Sequence, residues 1–175
     1  MKVKELEIPE DIKVTVDGER IKVEGDNASL ERKVSSSRVN IEKKDGKVLL
    51  TVDSNKKKDR SELGTYVSHI KNMFRGAKEN FEYKMRVVYS HFPIKLETKG
   101  NNVLVIQNFL GEKNPRKVDI MGDETKVEIL DDELVVKGPN KDAVGQTAAK
   151  IEEATHIKGK DPRVFQDGIY IIEKG

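Results

Sequence analysis

The side chains of this 175-residue chain best suited to chemistry are cations near its carboxyl end. The run Ile157-Lys158-Gly159-Lys160-Asp161-Pro162-Arg163-Val164-Phe165 gathers two ammonium groups and a guanidinium around a glycine and a proline. Such groups attract phosphate, and the guanidinium can hold it bidentately. Gly159 lets backbone come close to a partner, and Pro162 stiffens the turn. Phe165 and Tyr170 offer rings that stack on bases or pack on an apolar sheet face. The plainer reading, a terminal strand added to a sheet, is compatible with this one. A second basic segment runs from Lys113 through Arg116 to Lys117, and a third is Lys56-Lys57-Lys58 with Arg60. Each run taken alone reads most simply as a solvated face.

Other chemistry lacks its residues. His69, His91 and His156 do not share the spacing of a helical metal pair. Asp131-Asp132-Glu133 falls in a hairpin turn, where solvated carboxylates are ordinary. An enzyme built on His91 or on that acidic cluster is therefore the remotest reading. Lys158-Gly159-Lys160 lacks the strand-loop-helix setting and hydroxyl of a nucleotide-binding loop, and no dinucleotide fingerprint or serine elbow occurs. No catalytic residue, metal site or cofactor is expected. With no cysteine, disulfides and thiolate metal sites are excluded, and a reducing compartment such as the cytoplasm is the natural expectation.

The longest uncharged stretch, Gly100 to Gly111, is broken by Asn101, Asn102, Gln107 and Asn108, far from the roughly 18 apolar residues of a membrane span. Met1 to Glu10 alternates charged with apolar residues and has no leader-like apolar region, so a soluble chain without membrane partners is expected. The Asn27-Ala28-Ser29 sequon then reads as accidental.

Charged residues make up 37% of the chain, well above the usual quarter, yet the net charge is only +2. The near balance hides a segregation. Residues 83–122 hold seven basic and three acidic side chains, whereas 123–153 hold four basic and nine acidic. A polyanion would meet the basic surfaces, with an attraction that salt weakens.

These groups need elements to hold them. Asp17-Gly18 lies between Lys13–Val16 and Arg20–Val23, and Asp45-Gly46 between Asn40–Lys43 and Lys47–Val52. Each pattern predicts a tight hairpin, because such turns need positive φ. After the polar stretch 54–60, Leu63, Val67, Ile70 and Phe74 recur at helical spacing and end near Arg75-Gly76. From Tyr83 the plan begins again. Strands are expected at 84–89, 95–98, 103–106, 117–120, 126–130 and 134–137, followed by a helix with Val144, Ala148 and Ile151 on one face.

Landmarks repeat at similar offsets: Ile12 and Ile94 are 82 residues apart, and Gly64 and Gly145 are 81 apart. The order of elements predicts an α+β tandem duplication, each copy an antiparallel four-stranded sheet packed against one helix. The domains expected are 1–79 and 80–175, the second ending in the basic tail.

Several stretches resemble a known family, large-subunit ribosomal protein six in its archaeal and eukaryotic form. They are His91-Phe92-Pro93-Ile94, Asn108-Phe109-Leu110-Gly111-Glu112-Lys113, Gly145-Gln146-Thr147-Ala148-Ala149-Lys150-Ile151, and the tail from Lys158 to Asp161 and from Arg163 to Tyr170. The first half matches in layout, including the Gly64 helix and its Met73-Phe74-Arg75-Gly76 end.

The resemblance implies a non-catalytic structural role in the large ribosomal subunit, bound to ribosomal RNA near the sarcin-ricin region and the stalk base. It implies neighbouring large-subunit proteins as partners, stalk-base proteins among them. It also implies RNA contacts chiefly from the second domain and its tail: Lys158, Gly159, Lys160 and Arg163 first, then Lys113, Arg116 and Lys117. The balanced charge departs from the strongly basic character usual in ribosomal proteins. Much of the first domain is thus expected to face solvent, other proteins or passing factors. The competing reading is a non-ribosomal interaction adaptor, whose sheet edges and acidic region 123–153 would meet other chains.

Overall fold

The computed structural model describes residues 1–175, and the chain divides into two compact units, Met1–Asn80 and Phe81–Gly175. In the first unit the order is β1 (Lys2–Glu7), β2 (Lys13–Asp17), β3 (Arg20–Glu24), β4 (Ser29–Lys33), β5 (Val39–Lys44), β6 (Lys47–Val52) and α1 (Lys57–Lys78). In the second it is β7 (Phe81–Val88), β8 (Lys95–Lys99), β9 (Val103–Gln107), β10 (Arg116–Asp119), β11 (Lys126–Leu130), β12 (Glu133–Gly138), α2 (Lys141–Ala154) and β13 (Gly168–Lys174).

Both units are α+β, with every strand pairing antiparallel. The single four-stranded sheet expected per copy is replaced by two sheets. The first unit has β1-β6-β5 and β2-β3-β4; the second has β11-β12-β7-β13 and β10-β9-β8. Apolar alternation shows which residues face a core, but not which strand lies alongside. Here the first strand of each copy closes on the last, a long-range pairing no local pattern reveals. β4, with Leu30 as its one large apolar residue, gives almost no alternation to read.

The core of each unit draws on both sheets and the helix. In the first, Val48, Leu50 and Val52 alternate inward from β6 and meet Ile21 and Val23 of β3 and Leu63, Ile70 and Phe74 of α1. In the second, Leu104 and Ile106 of β9 and Leu134 and Val136 of β12 meet Val144, Ala148 and Ile151 of α2. Each fully buried aliphatic side chain contributes roughly 1.5–3 kcal/mol toward offsetting the conformational entropy lost on folding.

Turns follow the backbone rule, with one shift. Asp45 and Gly46 take φ of 51° and 71° between paired Lys44 and Lys47, the twist a two-residue hairpin favours. In the earlier hairpin Asp17 pairs with Arg20, so the turn is Gly18-Glu19 rather than Asp17-Gly18. Likewise Glu133 belongs to β12, leaving Asp131-Asp132 as the turn.

The first helix is longer than its apolar spacing indicates. It starts at Lys57, inside the polar stretch 54–60 that precedes the apolar spacing, and continues through Gly76 to Lys78. Its last carbonyls are taken by the 25–27 loop, where Asn27 N donates to Ala77 O at 3.0 Å and Asn27 Nδ2 donates to Gly76 O at 2.9 Å. A Cβ on Gly25 would collide with the Ala77 carbonyl oxygen, so only glycine allows that approach. No helix is long and apolar enough to cross a membrane.

Candidate nucleic-acid interface

The tail cations ride on a loop between α2 and β13. Thr155, at the end of α2, donates through Oγ1 to Ile151 O and Glu152 O and accepts from Ile169 N at 3.0 Å. One hydroxyl thus joins the helix end to the first turn of the terminal strand. β13 then pairs along β7 from Gly168 to Lys174, with an irregularity between Ile171 and Glu173. The terminal-strand reading and the presented-loop reading are both realised: β13 is the strand, and residues 156–167 are the loop it tethers.

Within that loop, Asp161 organises the turn. Its carbonyl accepts from Val164 N and Phe165 N at 3.1 and 2.9 Å, and its carboxylate accepts from Arg163 N at 2.9 Å, with Pro162 between. Arg163 also pairs through Nε with Asp161 at 3.2 Å, but its side chain stays 90% exposed, so the pair is weak and leaves the guanidinium accessible. Lys160 Nζ stands 4.7 Å from the centre of the Phe165 ring. Lys158 is exposed and has no carboxylate partner. Gly159 takes φ of 72° with open space around its Cα, a conformation that side-chain-bearing residues resist.

The loop is fixed to the body of the unit by a side chain that sequence reasoning passed over. Asp167 is 1% exposed and accepts from Ser90 N, Ser90 Oγ, His91 N and His91 Nδ1, at 3.3, 3.2, 3.4 and 2.9 Å. The His91 ring in turn stacks on Phe165, with centroids 4.6 Å apart and planes 13° from parallel. Burial works to raise the Asp167 carboxyl, but the bonds from His91 and Ser90 outweigh it and hold the group below its ordinary value. Phe165 is therefore engaged within the unit, whereas Tyr170 donates its hydroxyl to Gln166 O at 3.0 Å and remains exposed. Asp167 and His91 lie 76 positions apart; the only sequence trace of their partnership is that both fall in family-like stretches.

The second candidate segment divides. Arg116 is held internally: it donates to both oxygens of Glu112, at 2.9 and 2.6 Å, and to Ala154 O, and lies 4.5 Å from the Phe109 ring centre. The Arg116 guanidinium keeps the Glu112 carboxyl below its usual range. Lys113 and Lys117 are exposed and have no carboxylate partner. Lys113, Lys95 and Asn108 edge a cleft of about 490 Å³. The turn leading to it carries Asn108, Leu110 and Gly111 at φ of 59°, 52° and 74°. A leucine in that region is strained, and surrounding contacts must hold it there. Asn108 Nδ2 donates to Pro93 O at 3.0 Å, and a Cβ on Gly111 would meet the Phe92 ring at 3.1 Å.

Folding also changes the charge segregation. β7 lies between β12 and β13, so Arg86 pairs with Glu133 at 3.8 Å and Lys84 with Glu173 at 3.0 Å. Lys137 meets Glu82 and Glu128 at 3.5 and 3.1 Å. The pair of Arg86 with Glu133 thus ties the basic region to the acidic one, while Lys95, Lys99, Lys113, Lys117 and the tail keep exposed positive charge.

The sequence model of a single family, ribosomal protein L6, matches this chain twice, over residues 8–80 and again over 92–168. The chain belongs to the ribosomal protein L6 family. Its relatives include the large ribosomal subunit protein uL6 of Haloarcula marismortui, 50% identical over 170 residues, which span 97% of this chain and 94% of that protein. The uL6 proteins of Natronomonas pharaonis, 47% identical over 97% of this chain and 94% of theirs, and Archaeoglobus fulgidus, 46% identical over 97% and 88%, are similar. Membership in the L6 family makes this a structural protein of the large ribosomal subunit rather than an enzyme, and displaces the non-ribosomal adaptor reading. The double match coincides with the duplicated strand order, so the L6 sequence pattern and the repeated fold describe the same unit.

Proposed function

We propose that the second unit binds large-subunit ribosomal RNA, near the sarcin-ricin region and the stalk base, through Lys158, Gly159, Lys160 and Arg163, with Lys113 and Lys117 beside them in role. Arg116 acts as a positioning residue, bracing β10 against the end of α2. The observation carrying this reading is the anchoring of an exposed cationic loop by a buried carboxylate, Asp167. A loop already fixed loses little conformational freedom on docking, so its charges meet phosphates in a set register. Recognition is then of RNA shape and backbone, with Gly159 leaving room for close approach. Neighbouring ribosomal proteins, those of the stalk base included, complete the partner set within the cytoplasmic ribosome.

Changing Lys158, Lys160 and Arg163 together to Ala tests the assignment. Each lost phosphate contact lowers the magnitude of the salt slope of binding by roughly 0.7–0.9, so the triple variant should lose about 2 or more. Binding and slope equal to those of the unaltered chain would refute the site.

A further inference from the structure

The first unit holds an open groove of about 1020 Å³ between the 33–38 loop and the opening turns of α1. Its walls are built. Ser35 N donates to the Tyr66 hydroxyl at 3.1 Å, and Arg38 reaches Asp59 at 2.8 Å, so the loop is tied to the helix at two points. Asp59 is 2% exposed and also accepts from Ser54 Oγ. The Ser54 and Arg38 bonds hold its carboxyl below the ordinary range. That acid is thus committed to the frame.

The lining carries the charge surplus. Arg32, Lys33, Arg38, Lys57 and Lys58 border the groove against Asp59 and Glu62, and Asp59 is already matched by Arg38. Lys33 pairs loosely with Glu19 at 3.6 Å, while Lys57 and Lys58 are exposed and have no carboxylate partner. Both lie in the first turn of α1, where the helix dipole already carries positive charge, and the preceding Lys56 side chain makes no capping bond. Lysines there oppose the helix dipole, and Asp59, the one carboxylate in that turn, is already paired with Arg38. Ser35, Ser37, Ser61 and Thr65 supply hydroxyls along the same walls. Tyr66 and His69 are the only rings lining the groove and no aliphatic core residue does, so it has few of the anchors on which a protein interface depends.

We propose that this groove is a second RNA-binding site, taking a phosphodiester backbone segment of ribosomal RNA on Lys57 and Lys58, independently of the tail. It rests on the reading of the second unit as an rRNA binder and extends it to the first. Phosphate oxygens meet the two ammonium groups and the helix start, and the serine hydroxyls reach phosphate or ribose.

Full-length chain with Lys57→Ala and Lys58→Ala should bind large-subunit rRNA with a salt slope lower in magnitude by roughly 1.4–1.8, and this loss should add to that of the tail triple variant. A photoreactive phenylalanine in place of Ser61, in assembled large subunits, should cross-link to rRNA. An unchanged slope in the double variant while the tail variant loses its own would overturn this site and leave the tail assignment intact. So would cross-links from position 61 to protein alone, or none. Failure of the unaltered chain to bind rRNA would remove both assignments together.

Discussion

The two units share a frame and differ in what is added to it. Strand for strand, β1-β6-β5 matches β7-β12-β11 and β2-β3-β4 matches β8-β9-β10, with one helix packed on both sheets each time. In the second unit, however, β13 covers the free side of β7, whereas β1 is an edge strand guarded by the charges of Lys2, Lys4, Glu5 and Glu7. The added strand brings the cationic loop with it and fixes it through Asp167. The helix starts also differ: Asn140 caps α2 by accepting from Asp142 N and Ala143 N, while α1 begins on lysines without a side-chain cap. A duplicated scaffold thus gains an anchored cationic loop through a short extension at one edge, and the copy without it carries exposed lysines at its helix start instead.

The strongest way to break this comparison is to remove the interior contact that only the second unit has. Ile169 in β13 is fully buried, so Ile169→Ala should cost the second unit about 2–5 kcal/mol. Hydrogen exchange resolved by residue should show the loss in 81–175 and not in the first unit's core. Equal loss in both would mean the two cores do not stand apart.

Asp167 sharpens the comparison on a smaller scale. Replacing it with Asn gives up the charge in its bonds to His91 and Ser90 and should cost about 1–3 kcal/mol, with faster exchange at Ser90, His91 and Phe165. The pH dependence has a definite sign. A carboxyl with a lowered folded value lends stability that is complete above the ordinary Asp pKa of about 3.9 and fades as pH falls through the folded value. Loop protection should therefore hold at neutral pH and be lost in acid, and Asp167→Asn should flatten that acid limb. A steep limb retained in the variant would assign the acid response to other groups. Asp59, lowered in the same direction, gives the first unit its own acid sensitivity.

The smallest effect concerns the helix starts. Asn140→Ala should cost the second unit about 1 kcal/mol, and Lys56→Ser should raise the first by several tenths to about 1 kcal/mol, both read by denaturant midpoint. A loss on introducing serine at that position would show that the lysine serves the free protein after all.

Much of this is legible from residues whose local signal is unambiguous. Asp45-Gly46 has to turn, Leu63, Ile70 and Phe74 have to share a helix face, and the tail announces its cations in consecutive order. What stays hidden depends on distance along the chain. β1 meets β6 across the whole unit, and Asp167 meets His91 only because β13 returns to β7. The start of α1 is illegible for another reason. Lys57 to Arg60 carry no apolar periodicity, and Asp59 is held from outside by Ser54 and Arg38. Arg116, one more cation in the sequence, becomes a brace once Glu112 and the end of α2 surround it.

The chain has no cysteine, so one introduced at Val164, which is 59% exposed on the loop, is a unique point for tethering a hydroxyl-radical source. In assembled large subunits, the account predicts strong rRNA cleavage confined to a few neighbouring nucleotides from that position, and little from a matching label at Asp132 in the acidic hairpin. No cleavage from position 164, or stronger cleavage from 132, would contradict it.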